Sequence, residues 1–456
     1  MIASHSTSRL VHGVAVLALL YSAVHFAVSG IRMPLDRPNI GQIEEEIPPL
    51  QTYLRDGGEI TSNNPRQYGP VFMFVMHPLL KLTGGDTVSL SRWLYALQLI
   101  CLAGSFVFIW LTLEPTVPHR AQLASLAALA VLWLNFAPLY TILAVKNVET
   151  WELLLISAAL YAHTRARRLA AGFAVAAAGL IKLLPFAFLF YFLLRDRRAF
   201  AYTCAALLAI LLGSHAMYGR QMGLGYLPHV AGSAFGNSFA LGWHENISLK
   251  GMIAKQFGYL ETTTTGHLDE SLFDPSYLPR TGAGQARYTV ILTKQQLPKV
   301  RYVGWAAQAV ALLFLVWALL RERGSTINRT IWGWSLVAAM MLLLSPQTAF
   351  EYCTLTLPAF SYLTVRLIGD RPTWTVRQWL PFAGAVLLIA NLLPRQAINR
   401  LVFVTAINRW TGYTHLTPSE AYQYYGFPFV GLVLLVVSLW QVRQEPVTRA
   451  PIHAAG

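Results

Sequence analysis

Charge is what this chain has least of. Asp, Glu, Lys and Arg together make up 12% of it, against 55% hydrophobic residues, which excludes the two or three soluble domains that 456 residues would otherwise suggest. Cysteine is also sparse: Cys101, Cys204 and Cys353 all fall inside apolar runs, where none can staple an exterior loop, and no disulfide or metal framework follows from them. A glycine-rich phosphate loop, a paired-histidine metal motif and a serine nucleophile elbow are missing too, and with them the case for soluble-nucleotide chemistry. No internal repeat is visible, which weighs against a transporter built from inverted halves. No metal or cofactor is expected.

What the chain does have is apolar length. A helix needs roughly 20 apolar residues to cross a bilayer core, and candidates recur at 10–30, 93–113, 122–143, 151–163, 169–182, 184–194, 199–218, 302–320, 329–345, 352–368, 379–393 and 426–441. These predict an all-α integral membrane protein with about twelve transmembrane helices, read as one polytopic domain over 1–456. The first run follows Arg9 and is longer than a cleavable signal core, so it is read as a retained first helix.

The net charge of +14 does not point to nucleic acid, because the arginines form small clusters between apolar runs rather than one basic face. Arg165/Arg167/Arg168, Arg195/Arg197/Arg198, Arg321/Arg323, Arg371/Arg377 and Arg443/Arg449 all fall on the side of Arg9, which is therefore cytoplasmic, as are both termini. Counting 70–82 as a crossing would break that agreement. The segment is read instead as interfacial or re-entrant, within a first exterior loop at 31–90. Two more long exterior loops follow, 219–300 and 394–427, and loops of that size are usually functional.

Candidate chemistry gathers in those loops and at helix ends. Asp36, Glu44, Glu45 and Glu46 lie between the first helix and the membrane-hugging segment, where a carboxylate can serve as general base to a hydroxyl; a solvated charge run is the bland alternative. Lys182 is the single ionisable residue from Leu169 to Leu194, and a charge at that depth calls for a polar cavity or a partner. Lys146, Asn147, Glu149 and Glu152 form a polar group at an exterior helix tip, read as local capping and pairing. His244, Glu245, Asn246, Ser248, Lys250 and Lys255 sit beside Trp243, a set that suits a phosphate and a sugar ring and equally a capped surface helix. Ser345-Pro346-Gln347-Thr348 closes one crossing, and Glu351 opens the next.

Several motifs in order resemble the polyprenyl-phosphate-dependent glycosyltransferases of the C-type membrane superfamily, most closely family 87, which includes bacterial mannosyl- and arabinosyltransferases. Tyr68-Gly69-Pro70 with Pro78 resembles the family's Tyr-Pro-Pro run. Ala171-Gly172 through Gly179-Leu-Ile-Lys182-Leu-Leu-Pro185 and Arg195-Asp-Arg-Arg198 resembles its Ala-Gly…Lys-x-x-Pro…Arg-Arg stretch. Asn246-Ile-Ser-Leu249 resembles Asn-Gln-Ser-Leu, and Ser345-Pro346 the Ser-Pro of the last strong motif. Departures are visible as well: Ala349, Phe350, Glu351 and Tyr352 stand where members often carry Trp and a His pair, and Asn147 lacks a preceding Gly-Gln.

The resemblance implies a C-type architecture with long exterior loops in the bacterial inner membrane. It implies an inverting transfer of a sugar, such as mannose or another hexose or pentose, from a polyprenyl-phosphate donor to a lipid or glycan acceptor at the exterior face. A first-loop carboxylate would be the base, with Glu44 in register and Asp36, Glu45 and Glu46 as alternatives. Lys182, Lys250, Lys255, Arg220 and Arg301 are the phosphate candidates in that order, and Tyr68, His244, Asn246 and Glu351 further substrate contacts. A transporter, flippase or ligase of lipid-linked saccharides is the competing class.

Overall fold

In lipid each backbone N–H and C=O must be satisfied within its own segment, so long apolar runs become helices. The computed structural model describes residues 15–32, 47–56, 68–228, 230, 245–263, 287–293, 295–322, 326–369, 374–390 and 422–442, and it is helical almost throughout. The first helix, α1, spans Ala15–Arg32. It is followed by α2 (Ile47–Asp56), α3 (Pro70–Thr83), α4 (Thr87–Leu113), α5 (Gln122–Leu134), α6 (Ala137–Val145), α7 (Glu149–Thr164) and α8 (Arg168–Gly179). Then come α9 (Ala187–Arg195), α10 (Arg197–Tyr218), α11 (Leu249–Phe257), α12 (Gln296–Arg321), α13 (Ile327–Leu344), α14 (Leu357–Gly369), α15 (Val376–Ala385) and α16 (Phe427–Val442). Within 219–300, β1 (Tyr259–Thr263) and β2 (Arg287–Ile291) pair antiparallel with Tyr259 opposite Ile291, as their aromatic and β-branched residues favour.

Each of the twelve apolar segments is helical over most of its length. Among the described residues five helices are long and apolar enough to cross a membrane: Ala15–Arg32, Thr87–Thr116, Arg197–Tyr218, Gln296–Arg321 and Ile327–Leu344. The run 122–143, read as one straight span, is instead two helices bent by 47°. The break falls at Asn135 and Phe136 because Pro138, in the first turn of α6, has no N–H with which to continue α5. The segment 70–82 is the helix α3, with Gly84 in the left-handed conformation (φ 59°) closing it.

Helix ends are capped by their own sequence. Asp86 accepts from Ser89 N at 2.8 Å, Ser248 Oγ from Gly251 N at 3.1 Å, and Thr375 with Gln378 forms a capping box for α15. Inside the bundle, Trp133 Nε1 donates to Ser361 Oγ (2.9 Å), Trp332 Nε1 to Leu439 O (2.7 Å) and Gln308 Nε2 to Leu344 O (2.8 Å), tying α5 to α14, α13 to α16 and α12 to the end of α13.

These helices share two ends. α7 runs from Glu149 to the arginine turn 165–168, and α8 runs back to Lys182; α9 leads away again to Arg195. Arg168 Nε bonds Asp196 Oδ2 at 2.7 Å and Arg195 Nη1 bonds Leu319 O at 3.0 Å, which brings the turns 165–168 and 195–198 and the end of α12 together. Burial alone would raise the Asp196 carboxyl, but the hydrogen bond and charge of Arg168, the Ala199 amide and the charge of His163 together outweigh it and hold the group below the ordinary carboxylate value. At the other end of α7 lies the polar centre described next.

Candidate functional site

Two sequence motifs separated by more than a hundred residues dock through their backbones. Gly69 N donates to Ile181 O (2.8 Å) and Val71 N to Leu180 O (3.2 Å), so Tyr68-Gly69-Pro70 lies against the stretch that ends in Lys182. A Cβ at position 69 would stand 2.2 Å from Leu180 O, which is why this close approach takes glycine. A second docking joins Asn246-Ile-Ser248 to Ser345-Pro346-Gln-Thr348. Ile247 N donates to Thr348 O at 2.7 Å, Asn246 Oδ1 accepts from Thr348 N and Ser248 N at 3.0 Å each, and Asn246 Nδ2 donates to Pro346 O at 3.0 Å. Ser248 is also the N-cap of α11, as the capped-helix reading of this run expects.

Lys182 is buried rather than snorkelling to an interface (5% exposed). Its Nζ lies 2.5 Å from Glu149 Oε1, 3.2 Å from Asn147 Oδ1 and 3.4 Å from the Tyr352 hydroxyl, which accounts for the three N–H groups of an ammonium. The rings of Tyr68 and Tyr352 flank it at 5.0 and 4.6 Å. Tyr68 donates to Asn147 Oδ1 at 2.8 Å, and Gln98 Nε2 to Asn147 O at 2.7 Å. Glu152, one turn beyond Glu149 on α7, is fully buried and interacts electrostatically with both Lys182 and Glu149.

The centre continues through Glu351, buried in the 3-10 turn Phe350–Thr356, which feels the charges of Glu149, Lys182 and Glu245. Gln423 links the next groups: its Oε1 accepts from Phe350 N (3.3 Å), its Nε2 donates to Glu245 Oε1 (3.3 Å), and its backbone O accepts from Lys255 Nζ (3.0 Å). Lys255 is buried (7% exposed), with its Nζ 5.7 Å from the Tyr424 ring centre. Burial pulls its ammonium down to about 7, Glu245 opposing. Lys250 Nζ sits 5.7 Å from the Trp305 ring centre, and burial, aided by Arg301, lowers its pKa too.

Tyr68, Lys182, Glu351, Asn246 and Lys255 thus belong to one continuous set of contacts, with Lys250 and Arg301 beside α11. Arg220 is exposed in the turn after α10. Asp36, Glu44, Glu45, Glu46 and His244 lie outside the described residues. Glu149 and Asn147, read on sequence as local capping groups, are partners of Lys182 instead, 33 and 35 positions away. Tyr352, Gln98 and Gln423 were not singled out as functional. The available signal was two carboxylates three positions apart at the head of an apolar helix, a placement that is costly without a partner. Among the described residues no group of three or more His, Cys, Asp or Glu is arranged to hold a metal ion.

A family model described as glycosyltransferase family 87 matches residues 67–346, more than half of the chain. The match runs from the residue before Tyr68 to Pro346 and so takes in the first docked pair whole and the second as far as Pro346. No curated protein matches the chain.

Proposed function

The chain belongs to glycosyltransferase family 87, and from that membership we propose that it transfers a sugar from a polyprenyl-phosphate donor to a lipid or glycan acceptor at the exterior face of a bacterial inner membrane, with inversion. The observation that carries the reading is the buried polar centre around Lys182, built at the end of the bundle opposite the arginine turns. Under the positive-inside rule the arginine end is cytoplasmic and the polar centre faces out. The direction of α16, whose last turn lies at Trp332 near the start of α13, supports a cytoplasmic C-terminal side. On this topology the shorter helices complete the twelve crossings.

Ile47 follows Glu46 directly and is buried in one apolar cluster with Leu50, Tyr68, Val148, Trp151 and Ile181, the sequence neighbours of Asn147, Glu152 and Lys182. This anchoring supports a base drawn from Glu44, Glu45, Glu46 or Asp36. The carboxylate takes the acceptor hydroxyl proton, the freed oxygen attacks the anomeric carbon, and the bond from that carbon to the phosphate oxygen breaks. The electron pair leaves with the polyprenyl phosphate. Lys182, with its donors directed at Glu149, Asn147 and Tyr352, acts as the counter-charge that holds the acids in place. Lys255, Lys250 and Arg301 receive the phosphate, and Arg220 stands in reserve at the end of α10.

Purified protein incubated with radiolabelled polyprenyl-phosphate sugars tests this. Formation of a labelled glycoside is expected, falling about 100-fold or more when Asp36 and Glu44 to Glu46 are replaced together by their amides. Unchanged turnover in that variant would remove the base, and movement of label without a new glycosidic bond would make the protein a transporter.

A further inference from the structure

Unused hydrogen-bonding capacity is not spread evenly through the buried interior. Glu149 Oε2, Thr150 Oγ1, Trp151 Nε1 and both carboxylate oxygens of Glu152 have no hydrogen-bond partner among the described residues, and all belong to the first turn of α7. Thr354 Oγ1, in the 3-10 turn packed against α7, is in the same condition. Each of these side chains is more than nine-tenths buried. A polar group held away from water without a partner destabilises a fold, and Glu149 and Glu152, three positions apart and so on one face of α7, leave three carboxylate oxygens in that state.

Their chemistry selects a ligand. The indole N–H only donates, the carboxylate oxygens accept, and the threonine hydroxyls do both. A phosphate diester only accepts, so it would leave the free oxygens of Glu149 and Glu152 without a donor. A polyol can donate to the carboxylates and accept from the indole at once. A column of aromatic rings ends at Trp151: the rings of Tyr68 and Phe72 stack at 4.6 Å, and those of Phe72 and Trp151 at 6.0 Å.

We propose that the first turn of α7 is the subsite for the sugar ring of the donor, in which the Glu152 carboxylate accepts from ring hydroxyls and Trp151 Nε1 donates to a sugar oxygen. The proposal rests on the glycosyl-transfer reading and divides its labour: sugar at α7, phosphate at Lys250 and Lys255. Because a carboxylate recognises hydroxyls by their direction, Glu152 discriminates between sugars that differ at one carbon.

The test is the binding of farnesyl phosphate, bare or carrying mannose, glucose or arabinose, to the full chain in detergent, for wild type, Glu152→Gln, Glu152→Ala and Glu152→Asp. Wild type is expected to bind one sugar-bearing lipid about tenfold or more tighter than the bare lipid, as hydrogen bonds to a charged group allow. Glu152→Ala loses that preference with bare-lipid affinity unchanged, which also reports that the variant is folded, while Glu152→Gln, which keeps one acceptor oxygen, and Glu152→Asp each keep part of it. Full sugar preference in Glu152→Ala overturns the proposal, as does an equal loss for bare and sugar-bearing lipid. If wild type binds the bare lipid but prefers no sugar, the subsite is wrong while the lipid-phosphate reading stands; if it binds neither, both fall.

Discussion

The two ends of α7 hold two ion pairs of opposite character. At the arginine end, Asp196 bonds Arg168 Nε, caps α10 by accepting from Arg198 N and Ala199 N, and its partner is 39% exposed. The pair ties α8 to the turn between α9 and α10, and the cap closes the start of α10. At the other end Lys182 and Glu149 are 7% and 0% exposed, and two further buried glutamates stand close to them, one with no hydrogen bond to either oxygen. The first arrangement is what a bundle needs to stay together. The second holds more polar groups than the bundle needs, and on the proposed reading the excess meets the substrate.

The comparison is broken most forcefully at Glu149. Glu149→Ala leaves the Lys182 ammonium buried and uncompensated, a loss of about 3–5 kcal/mol that should appear as failure to recover folded protein or a sharply lower unfolding temperature in detergent. A mild effect would mean that the pair is wetter than its burial implies. Next comes Asn246→Ala, which strands the Thr348 and Ser248 amides and is expected to cost about 2 kcal/mol, with sugar transfer lost in the surviving protein. Asp196→Ala removes a cap and a half-exposed pair at the other end. About 1 kcal/mol of stability is expected to go, with transfer by the folded fraction unchanged.

The smallest effect is one of pH. Lys255 is held near 7 in the fold against the ordinary lysine value of 10.5. Between those values the unfolded chain binds more protons, so stability attributable to this residue grows as pH rises and is lost as pH falls towards 7. With Lys255 holding the donor phosphate as proposed, donor affinity is expected to run the other way, weakening above about pH 7 as the ammonium discharges. Lys255→Met should flatten both slopes, measured by unfolding and by lipid titration across that range.

The helices were largely legible in the sequence, because apolar runs and arginine turns encode them directly. The bend between α5 and α6 was not, although Asn135 and Pro138 bracketed it; an unbroken apolar run hides a lost backbone bond. The site was legible in pieces. Lys182 stood out as a lone charge in an apolar stretch, and Asn246 and Ser345-Pro346 through the family resemblance. The partnership of Lys182 with Glu149 was not, since α7 and α8 fold back on each other and that contact depends on which faces meet. Local spacing made Asn147, Glu149 and Glu152 look like a capped tip, and the bond that Asn246 makes to Thr348 spans 102 positions that no pattern connects.

Glu152→Leu separates the two accounts of the polar centre most directly, with thermal unfolding and sugar transfer read on the same preparation. Replacing an unpartnered buried carboxylate by an apolar side chain is expected to raise the unfolding temperature while transfer falls about tenfold or more. A lower unfolding temperature with transfer intact would mean that Glu152 serves the bundle and not the ligand.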